Sequence, residues 1–350
     1  MNTLAGSGVT FVAVFVIALG TALAVTPWVA RLAARYGFAY AGRVQDLHQR
    51  PTPRLGGVAL YVAFGLAVAT SLVLPVERRD PLELQRLTGV LLGATVVLLL
   101  GVLDDRRPLS PLPQVAGLTL AAACPIALGV RIETIANPFG GTLQFPLWFA
   151  VPFTLLWIVG AANTVNWLDG LDGLAAGVSA IGALAFTAHS LRIGQLSIAL
   201  LPLAMAGACL GFLRYNFYPA RIFLGGGAYL LGYLLGTLSI IGGTKGATLL
   251  LVLGIPILDV AWQIVRRWSA GRSPAQAERG HLHHRLFALG LSQPRVVWLY
   301  YLLTAVFSVL AIGLPSGRDK LVALAGLVVV LLALLAFIAR RGASDMAKKG

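Results

Sequence analysis

The amino-acid sequence predicts an all-α integral membrane protein, built as a polytopic bundle of helices. Of its 350 residues, 58% are hydrophobic and only 11% are charged, which is too little polar surface to cover a water-soluble globule. Apolar runs close to the roughly 20 residues that cross a bilayer recur along the whole chain. They leave no room for a soluble domain, so we expect one transmembrane domain over residues 1–350, ending in a short basic tail at residues 339–350.

The apolar runs amount to about eleven candidate spans. The first one lacks a basic leader and a small-residue cleavage site, so we expect it to be retained as a span rather than removed as a signal peptide. The third and the eighth are short. In chain order the runs cover residues 9–30, 57–75, 88–103, 115–130, 146–162, 174–191, 198–213, 228–241, 247–265, 296–314 and 321–338.

The distribution of Lys and Arg predicts the orientation, because cytoplasmic loops of inner-membrane proteins carry the excess of both residues. Nineteen of the 27 lie in the loops after odd-numbered spans or in the C-terminal tail, and eight lie in the other loops. We therefore expect the bacterial plasma (inner) membrane, an N-terminus outside and a C-terminus in the cytoplasm. The formal charge of +14 is spread over short loops, which argues against a nucleic-acid partner.

Acidic residues are scarce, and several of the 13 fall at span ends on the predicted cytoplasmic side. Carboxylates at membrane depth are costly and usually face a wet cavity where they have a function. Asp104 and Asp105 end the third span next to Arg106 and Arg107, a place where an anion and a divalent cation can meet. The structural alternative is that the two carboxylates simply pair with loop arginines. The other carboxylates on this side are Asp169, Asp172 and Asp259.

A second polar cluster joins the fifth and sixth spans. Asn163, Asn166, Asp169 and Asp172 recur every three residues, and glycines among them permit a break in the helix. Asn and Asp oxygens are hard ligands suited to Mg²⁺, and the same groups can bind a nucleobase or a sugar. Helix capping by Asp169 or Asp172 is an alternative, but it does not account for all four positions.

A third cluster of polar residues lies in the longest predicted cytoplasmic loop, where three histidines stand between two arginines. Such a group suits a phosphate or pyrophosphate, because its members donate hydrogen bonds and imidazoles become more cationic near an anion. A zinc site and a merely polar loop are the alternatives, and no cysteine accompanies the histidines. The residues are His281, His283 and His284, and His48 and Arg54 lie on the same predicted face.

These clusters belong to a set of motifs that occur in one order over about residues 43–295. The motifs are Pro-Thr-Pro-Arg-Leu-Gly-Gly at 51–57, Leu-Asp-Asp at 103–105, the run at 163–175, Gly-Phe-Leu-Arg-Tyr-Asn at 211–216, Pro-Ile-Leu-Asp at 256–259 and His-Leu-His-His at 281–284. Together they resemble the polyprenyl-phosphate N-acetylhexosamine-1-phosphate transferases, the family of MraY, WecA and TagO. The His-x-His-His form is similar to the WecA and TagO branch, which uses UDP-N-acetylglucosamine.

The resemblance implies a cytoplasmic active site that transfers a sugar phosphate from a UDP-N-acetylhexosamine to polyprenyl phosphate and releases UMP. It implies Mg²⁺ as cofactor, with Mn²⁺ as an alternative, and a homodimer is a further expectation. The residues carried over are Asp104, Asp105 and Asp169 as catalytic groups, Asn166 and Asp169 as metal ligands, and Asn163, Asp172, Asn216, His48, Arg54, His281, His283 and His284 as substrate-binding groups.

One departure from the family pattern concerns the metal site. Shortly after Phe223 the family has Gly-Asp-x-Gly-Ser, whereas this chain reads Gly-Gly-Gly-Ala-Tyr from residue 225. We assign the aspartate position to Gly226, and we expect Gly226→Asp to restore a ligand at little steric cost if the backbone angles suit a non-glycine residue. The alternative is a non-catalytic paralogue that binds the lipid phosphate or the nucleotide sugar and regulates or scaffolds an active relative.

Overall fold

The computed structural model describes residues 2–40, 52–137, 139–243, 247–269, 271, 282–314 and 316–347, and nearly all regular structure within them is helical. The helices are α1 Asn2–Arg35, α2 Gly56–Val73, α3 Glu83–Arg106, α4 Pro111–Ala127, α5 Leu147–Leu168, α6 Leu174–Arg192, α7 Leu196–Asn216, α8 Gly227–Ile241, α9 Ala247–Val252, α10 Gly254–Ser269, α11 Leu282–Ala288, α12 Gln293–Gly313 and α13 Gly317–Ala347. Two short antiparallel pairs complete it, β1 Ala39–Tyr40 with β2 Thr52–Pro53 and β3 Thr134–Ala136 with β4 Thr142–Gln144.

Seven of the described helices are long and apolar enough to cross a bilayer, and these are α1, α2, α3, α5, α6, α7 and α12. Three shorter apolar helices accompany them within α4, α8 and α10. The prediction of an all-α, multi-pass membrane protein is therefore confirmed. The number of about eleven spans and the sides of the two termini stay predictions.

Two of the predicted spans differ from the observed helices in ways that affect the site. The ninth predicted span is divided into α9 and α10, with the break at Leu253. Gly254 and Pro256 follow this break, and Pro fits the first turn of a helix because its missing N–H has no partner to lose there. The third span is longer than predicted, since α3 continues to Arg106 and carries Asp104 and Asp105 on its last turn.

Helix α8 lies at the centre of the bundle. Every residue from Gly227 to Ile241 is buried, and α8 packs against α2, α3, α5, α6 and α7. Glycines permit this close packing: a Cβ on Gly232 would lie 2.4 Å from the carbonyl oxygen of Ala161 on α5. Small residues let membrane helices approach at backbone distance. The N-terminus of α8 is thereby held between the ends of α2 and α3.

Candidate active site

Arg54 reaches the acidic end of α3 through a backbone pairing of two distant segments. Pro53 accepts a hydrogen bond from the Phe223 N–H at 2.8 Å, and Phe223 in turn accepts one from the Gly56 N–H at 3.0 Å. This pairing fixes the chain on both sides of Arg54. Its Nε lies 4.0 Å from Oδ1 of Asp105, so the structure brings together two of the predicted site residues that are 51 positions apart in sequence.

The ends of α2, α3 and α8 meet without side chains between them, at a contact that we call the glycine junction: Gly57, Gly101, Gly226 and Gly227. A Cβ on Gly57 would lie 2.6 Å from Cα of Gly227, and one on Gly101 would lie 2.8 Å from Cα of Gly226. The junction also brings the Gly226 N–H to 2.9 Å from Oδ2 of Asp105, to which it donates a hydrogen bond. A helix N-terminus next to a carboxylate is a favourable electrostatic arrangement.

The expectation that Gly226 can take an aspartate at little steric cost is wrong. Its backbone angles, φ −59° and ψ −8°, are open to any residue, but a Cβ there would lie 2.1 Å from Cα of Gly101. The obstacle is backbone, which cannot move aside as a flexible side chain can. At the neighbouring Gly225, φ is +57° and a Cβ would lie 2.3 Å from Oδ2 of Asp105. Both positions are therefore closed to side chains in this packing.

The adjacent carboxylates Asp104 and Asp105 have different partners. Oδ1 of Asp104 accepts hydrogen bonds from the Leu109 N–H at 2.8 Å and from Nε2 of Gln114 at 3.0 Å. These bonds hold the short loop that leads from α3 into α4. Arg106 donates to the carbonyl oxygen of Tyr36. Asp104 thus shapes the loop, and Asp105 is the carboxylate that faces Arg54 and α8.

The second cluster lies at the junction between α5 and α6. Asn163 and Asn166 occupy the last turns of α5, the helix ends at Leu168, and Asp169 directly follows it. Nδ2 of Asn163 donates back to the carbonyl oxygen of the residue four positions earlier, at 2.9 Å. Gly173 has φ +79°, a left-handed conformation that favours glycine and lets α6 start in a new direction. The first two residues of the predicted cluster therefore lie on a helix, and Asp169 and Asp172 lie in the turn that follows it.

Asp172 and Asn216 are both buried and both bind the loop that connects α7 to α8. Oδ2 of Asp172, a residue 5% exposed, accepts the Ala220 N–H at 2.9 Å. Nδ2 of Asn216 donates to the carbonyl oxygen of Ile222 at 3.0 Å. Asp172 does not cap α6, whose first residue is preceded by Gly173 without a side-chain cap. Both residues thus have internal partners that set the shape of the site.

Asp169 lies in the same electrostatic environment as the other site residues. Burial raises the pKa of its carboxyl to about 7, Arg54 acts in the opposite direction, and the charges of Asp105 and Asp172 raise it further. Three carboxylates from α3 and from the α5–α6 turn therefore influence one another. A cation bound among them would favour their ionised forms.

The donor chemistry of this region fits a hard divalent cation that is completed by substrate. Among the described residues there is no group of three or more His, Cys, Asp or Glu that could hold a metal ion. Mg²⁺ usually takes only one or two protein carboxylates and fills its other positions with waters and substrate phosphates. Asp105 and Asp169, with the amide oxygen of Asn166, are oxygen donors of that kind.

The histidine cluster lies only partly within the described residues. His48 and His281 fall outside them, and His283 and His284 lie on α11 with side chains that are also outside the described set. What the structure does show is how α11 begins. The buried Oδ1 of Asp259, on α10, accepts the Leu282 N–H at 2.9 Å. The carboxylate at the end of the Pro-Ile-Leu-Asp motif thereby anchors the helix that carries two of the histidines.

Sequence reasoning did not find the glycine junction. Gly57 closes the Pro-Thr-Pro-Arg-Leu-Gly-Gly motif and Gly101 stands just before Leu-Asp-Asp, so both lay within reach of recognised motifs. Nothing in their local sequence indicates that both contact the start of α8. Tyr301 on α12, whose hydroxyl donates a hydrogen bond to the carbonyl oxygen of Gly173, was not singled out either, because an aromatic residue inside an apolar span gives no functional signal.

Known proteins resemble this chain over most of its length. Residues 87–243 match the family model described as glycosyl transferase family 4. A probable undecaprenyl-phosphate N-acetylglucosaminyl 1-phosphate transferase of Bacillus subtilis is 36% identical over 314 residues, covering 87% of this chain and 85% of the relative. A decaprenyl-phosphate N-acetylglucosaminephosphotransferase of Mycolicibacterium smegmatis is 34% identical over 348 residues, covering 91% and 86%.

A relative with lower identity is named for a different sugar substrate. The phospho-N-acetylmuramoyl-pentapeptide-transferase of Desulforudis audaxviator is 32% identical over 301 residues, which cover 79% of this chain and 88% of the relative. Identities of 32% to 36% over most of both chains show a shared family. The chain belongs to the polyprenyl-phosphate N-acetylhexosamine-1-phosphate transferases of glycosyl transferase family 4.

Proposed function

We propose that this protein transfers N-acetylglucosamine-1-phosphate from UDP-N-acetylglucosamine to a polyprenyl phosphate and releases UMP. The observation that carries the proposal is the approach of Arg54 to Asp105 at the end of a membrane helix, with Asp169 within electrostatic reach of both. The names of the relatives with 36% and 34% identity supply the sugar and the class of lipid. We place the reaction on the cytoplasmic face of the inner membrane, in line with the Lys and Arg distribution.

The reaction moves the sugar phosphate from UMP to the lipid phosphate, so one phosphoanhydride bond replaces another. An oxygen of the lipid phosphate attacks the phosphorus that bears the sugar, a new P–O bond forms, and the bond to UMP breaks as UMP leaves. Phosphoryl transfer of this kind depends on positioning and on neutralising charge more than on covalent help from the protein. The site therefore has to hold two anionic substrates in line and close together.

Asp105 and Arg54 form the part of the site that we assign to the lipid phosphate. Leu55, Val58 and Leu98 lie beside Asp105, so apolar side chains flank the place that we assign to the phosphate. Arg54 is partly exposed, so its guanidinium can bind a phosphate oxygen while it stays close to the carboxylate. Asp105 orients the attacking phosphate and accepts its proton.

Asp169 and Asn166 form the part that we assign to the donor pyrophosphate through Mg²⁺, with Mn²⁺ as an alternative. The metal supplies neutralisation of pyrophosphate charge when bound. The pKa of Asp169, raised to about 7 by burial and neighbouring carboxylates, makes its ionised form depend on a nearby cation. His283 and His284, brought by α11, are assigned to the same pyrophosphate.

Direct transfer by the purified protein is the test. The protein in detergent micelles receives undecaprenyl phosphate, Mg²⁺ and sugar-labelled UDP-N-acetylglucosamine, and both lipid-soluble label and UMP are measured. We expect equal amounts of the two products. UDP-N-acetylgalactosamine and UDP-N-acetylmuramoyl-pentapeptide, run in parallel, test the choice of sugar against the third relative's activity.

The transfer assay, together with a measurement of thermal stability, distinguishes an active enzyme from a non-catalytic paralogue. A paralogue would be stabilised against heat by UDP-N-acetylglucosamine or by the lipid phosphate but would form no lipid-linked sugar with either Mg²⁺ or Mn²⁺. The closed positions at Gly225 and Gly226 are the feature that keeps this alternative in view. A homodimer stays a prediction, which the mass of the protein–detergent complex would test.

A further inference from the structure

The α5–α6 turn, which carries Asp169 and Asp172, is held from one side by α12. The hydroxyl of Tyr301 donates a hydrogen bond of 2.6 Å to the carbonyl oxygen of Gly173. The same carbonyl accepts the Gly177 N–H at 2.9 Å, within the first turn of α6. Helix α12 lies outside residues 87–243, the segment that matches the family model.

The packing around this bond fixes the position of the Tyr301 ring. A Cβ on Gly177 would lie 2.0 Å from the ring, so the absence of a side chain there lets the ring lie against α6. The Trp298 ring is 5.5 Å from that of Tyr301, and the Phe217 ring is 6.2 Å from that of Trp298. Phe217 also closes over Gly173, where a Cβ would lie 2.9 Å from its ring.

We name the three rings of Phe217, Trp298 and Tyr301 the aromatic brace. It touches the turn at Gly173, four residues after Asp169 and one after Asp172. Because Gly173 is in a left-handed conformation, the direction of the chain there depends on the contacts that hold it. The hydroxyl of Tyr301 is a polar contact that reaches this turn from outside α5, α6 and the α7–α8 loop.

We propose that Tyr301 is a positioning residue for transfer: it holds the α5–α6 turn so that Asp169 presents its carboxylate to the metal-bound pyrophosphate. This inference rests on the proposed function and adds a residue of α12 to the machinery. Tyr301 itself contacts the turn and acts through it. The loss of one hydroxyl should therefore loosen the turn and weaken metal and donor binding, while the ring packing survives.

The test compares Tyr301→Phe with a matched control, Tyr233→Phe. Tyr233 also donates its hydroxyl to a helix carbonyl on another helix, that of Val90 at 3.1 Å, within the buried core. Both variants lose one hydrogen-bonded hydroxyl and keep the ring. Three quantities are measured for each: hydrogen exchange of a peptide covering residues 166–177, the Mn²⁺ concentration that half-saturates the protein by electron paramagnetic resonance, and the transfer rate against Mg²⁺.

For Tyr301→Phe we expect faster exchange in that peptide and a rise of about three- to tenfold in half-saturating Mn²⁺ and Mg²⁺, the size of one lost hydrogen bond. The control should match the wild type in all three while losing as much thermal stability. Unchanged exchange and metal dependence in Tyr301→Phe, or equal changes in both variants, would overturn the inference. A wild-type protein without transfer activity would sink the proposed function instead, and exchange with Mn²⁺ binding would still decide the role of Tyr301.

Discussion

The two acidic regions of the site are held in opposite ways. At the glycine junction, α2, α3 and α8 meet backbone to backbone, and Asp105 is held by the Gly226 N–H and lies next to Arg54. At the α5–α6 turn, side chains hold the structure: Asp172 binds the α7–α8 loop and Tyr301 binds the Gly173 carbonyl. The glycine junction therefore has no room for an added side chain, and the α5–α6 turn depends on polar groups that a substitution can remove.

The largest effect should come from adding one carbon at the glycine junction. Gly226→Ala places a Cβ about 2.1 Å from Cα of Gly101, so α3 and α8 must separate and Asp105 must move. A displacement near 1 Å costs catalysis about a hundredfold, and overpacking costs about 1–3 kcal/mol of stability. Transfer rates of Gly226→Ala and of Gly65→Ala, a control with open space around it, check this. Normal activity of Gly226→Ala would show that the junction can open.

Removing a charge without changing shape should have the next largest effect. Asp105→Asn and Asp169→Asn should each lower transfer at least about tenfold, because a lost charge at a phosphoryl-transfer site costs more than about 1.4 kcal/mol of transition-state stabilisation. Asp319→Asn is the control, since that carboxylate accepts a hydrogen bond from the nearby Ser316 hydroxyl at the start of α13. Rates are measured at equal amounts of membrane-inserted protein. Wild-type rates in either site variant would make these carboxylates structural.

Substitutions of Asp172 can distinguish its role as a hydrogen-bond acceptor from a role of its negative charge. Its Oδ2 accepts the Ala220 N–H, and an amide oxygen can do the same. We therefore expect Asp172→Asn to keep transfer within about threefold of the wild type, whereas Asp172→Ala loses about tenfold by leaving the Ala220 N–H without this acceptor. The steady-state rates of the two variants decide it. Equal and large losses in both would instead assign the charge of Asp172 to substrate or metal.

The smallest effect concerns the anchor of α11. Asp259 accepts the Leu282 N–H at the start of that helix, and the loss of such a cap costs about 0.5–2 kcal/mol. Asp259→Ala should raise half-saturating UDP-N-acetylglucosamine about two- to fivefold with little change in maximal rate, and Asp259→Asn should stay near the wild type. A fall in maximal rate that both variants share would give Asp259 a role in chemistry.

The helices of the bundle were largely predictable, because apolar runs about long enough to cross a bilayer alternate with short polar loops. Predicted run 174–191 compares with α6 Leu174–Arg192, and run 198–213 with α7 Leu196–Asn216. The break between α9 and α10 was not predicted, since the residues on both sides of it are equally apolar. Breaks inside apolar runs depend on neighbouring helices that hydropathy does not report.

The site was predictable as a set of residue types and less so as a set of roles. Asp104 and Asp105 look alike in sequence, yet one binds the Leu109 N–H and the other the Gly226 N–H. That division depends on where the α3–α4 loop turns and on how closely α8 approaches. The misjudged substitution at Gly226 has the same origin: sequence indicates which backbone angles glycine can adopt, but not which backbone lies beside it.

The closed glycine pair at residues 225 and 226 also restricts how this protein can change over generations. A side chain introduced at either position would overlap with the backbone of Gly101 or with the carboxylate of Asp105. One substitution therefore cannot add an acidic ligand there in the present packing. Gaining it would require lengthening the segment between Phe223 and α8, or shifting α3 away from α8. We therefore expect point-mutation libraries to yield few active variants with an acidic residue there, and libraries with one inserted residue before Gly227 to yield more.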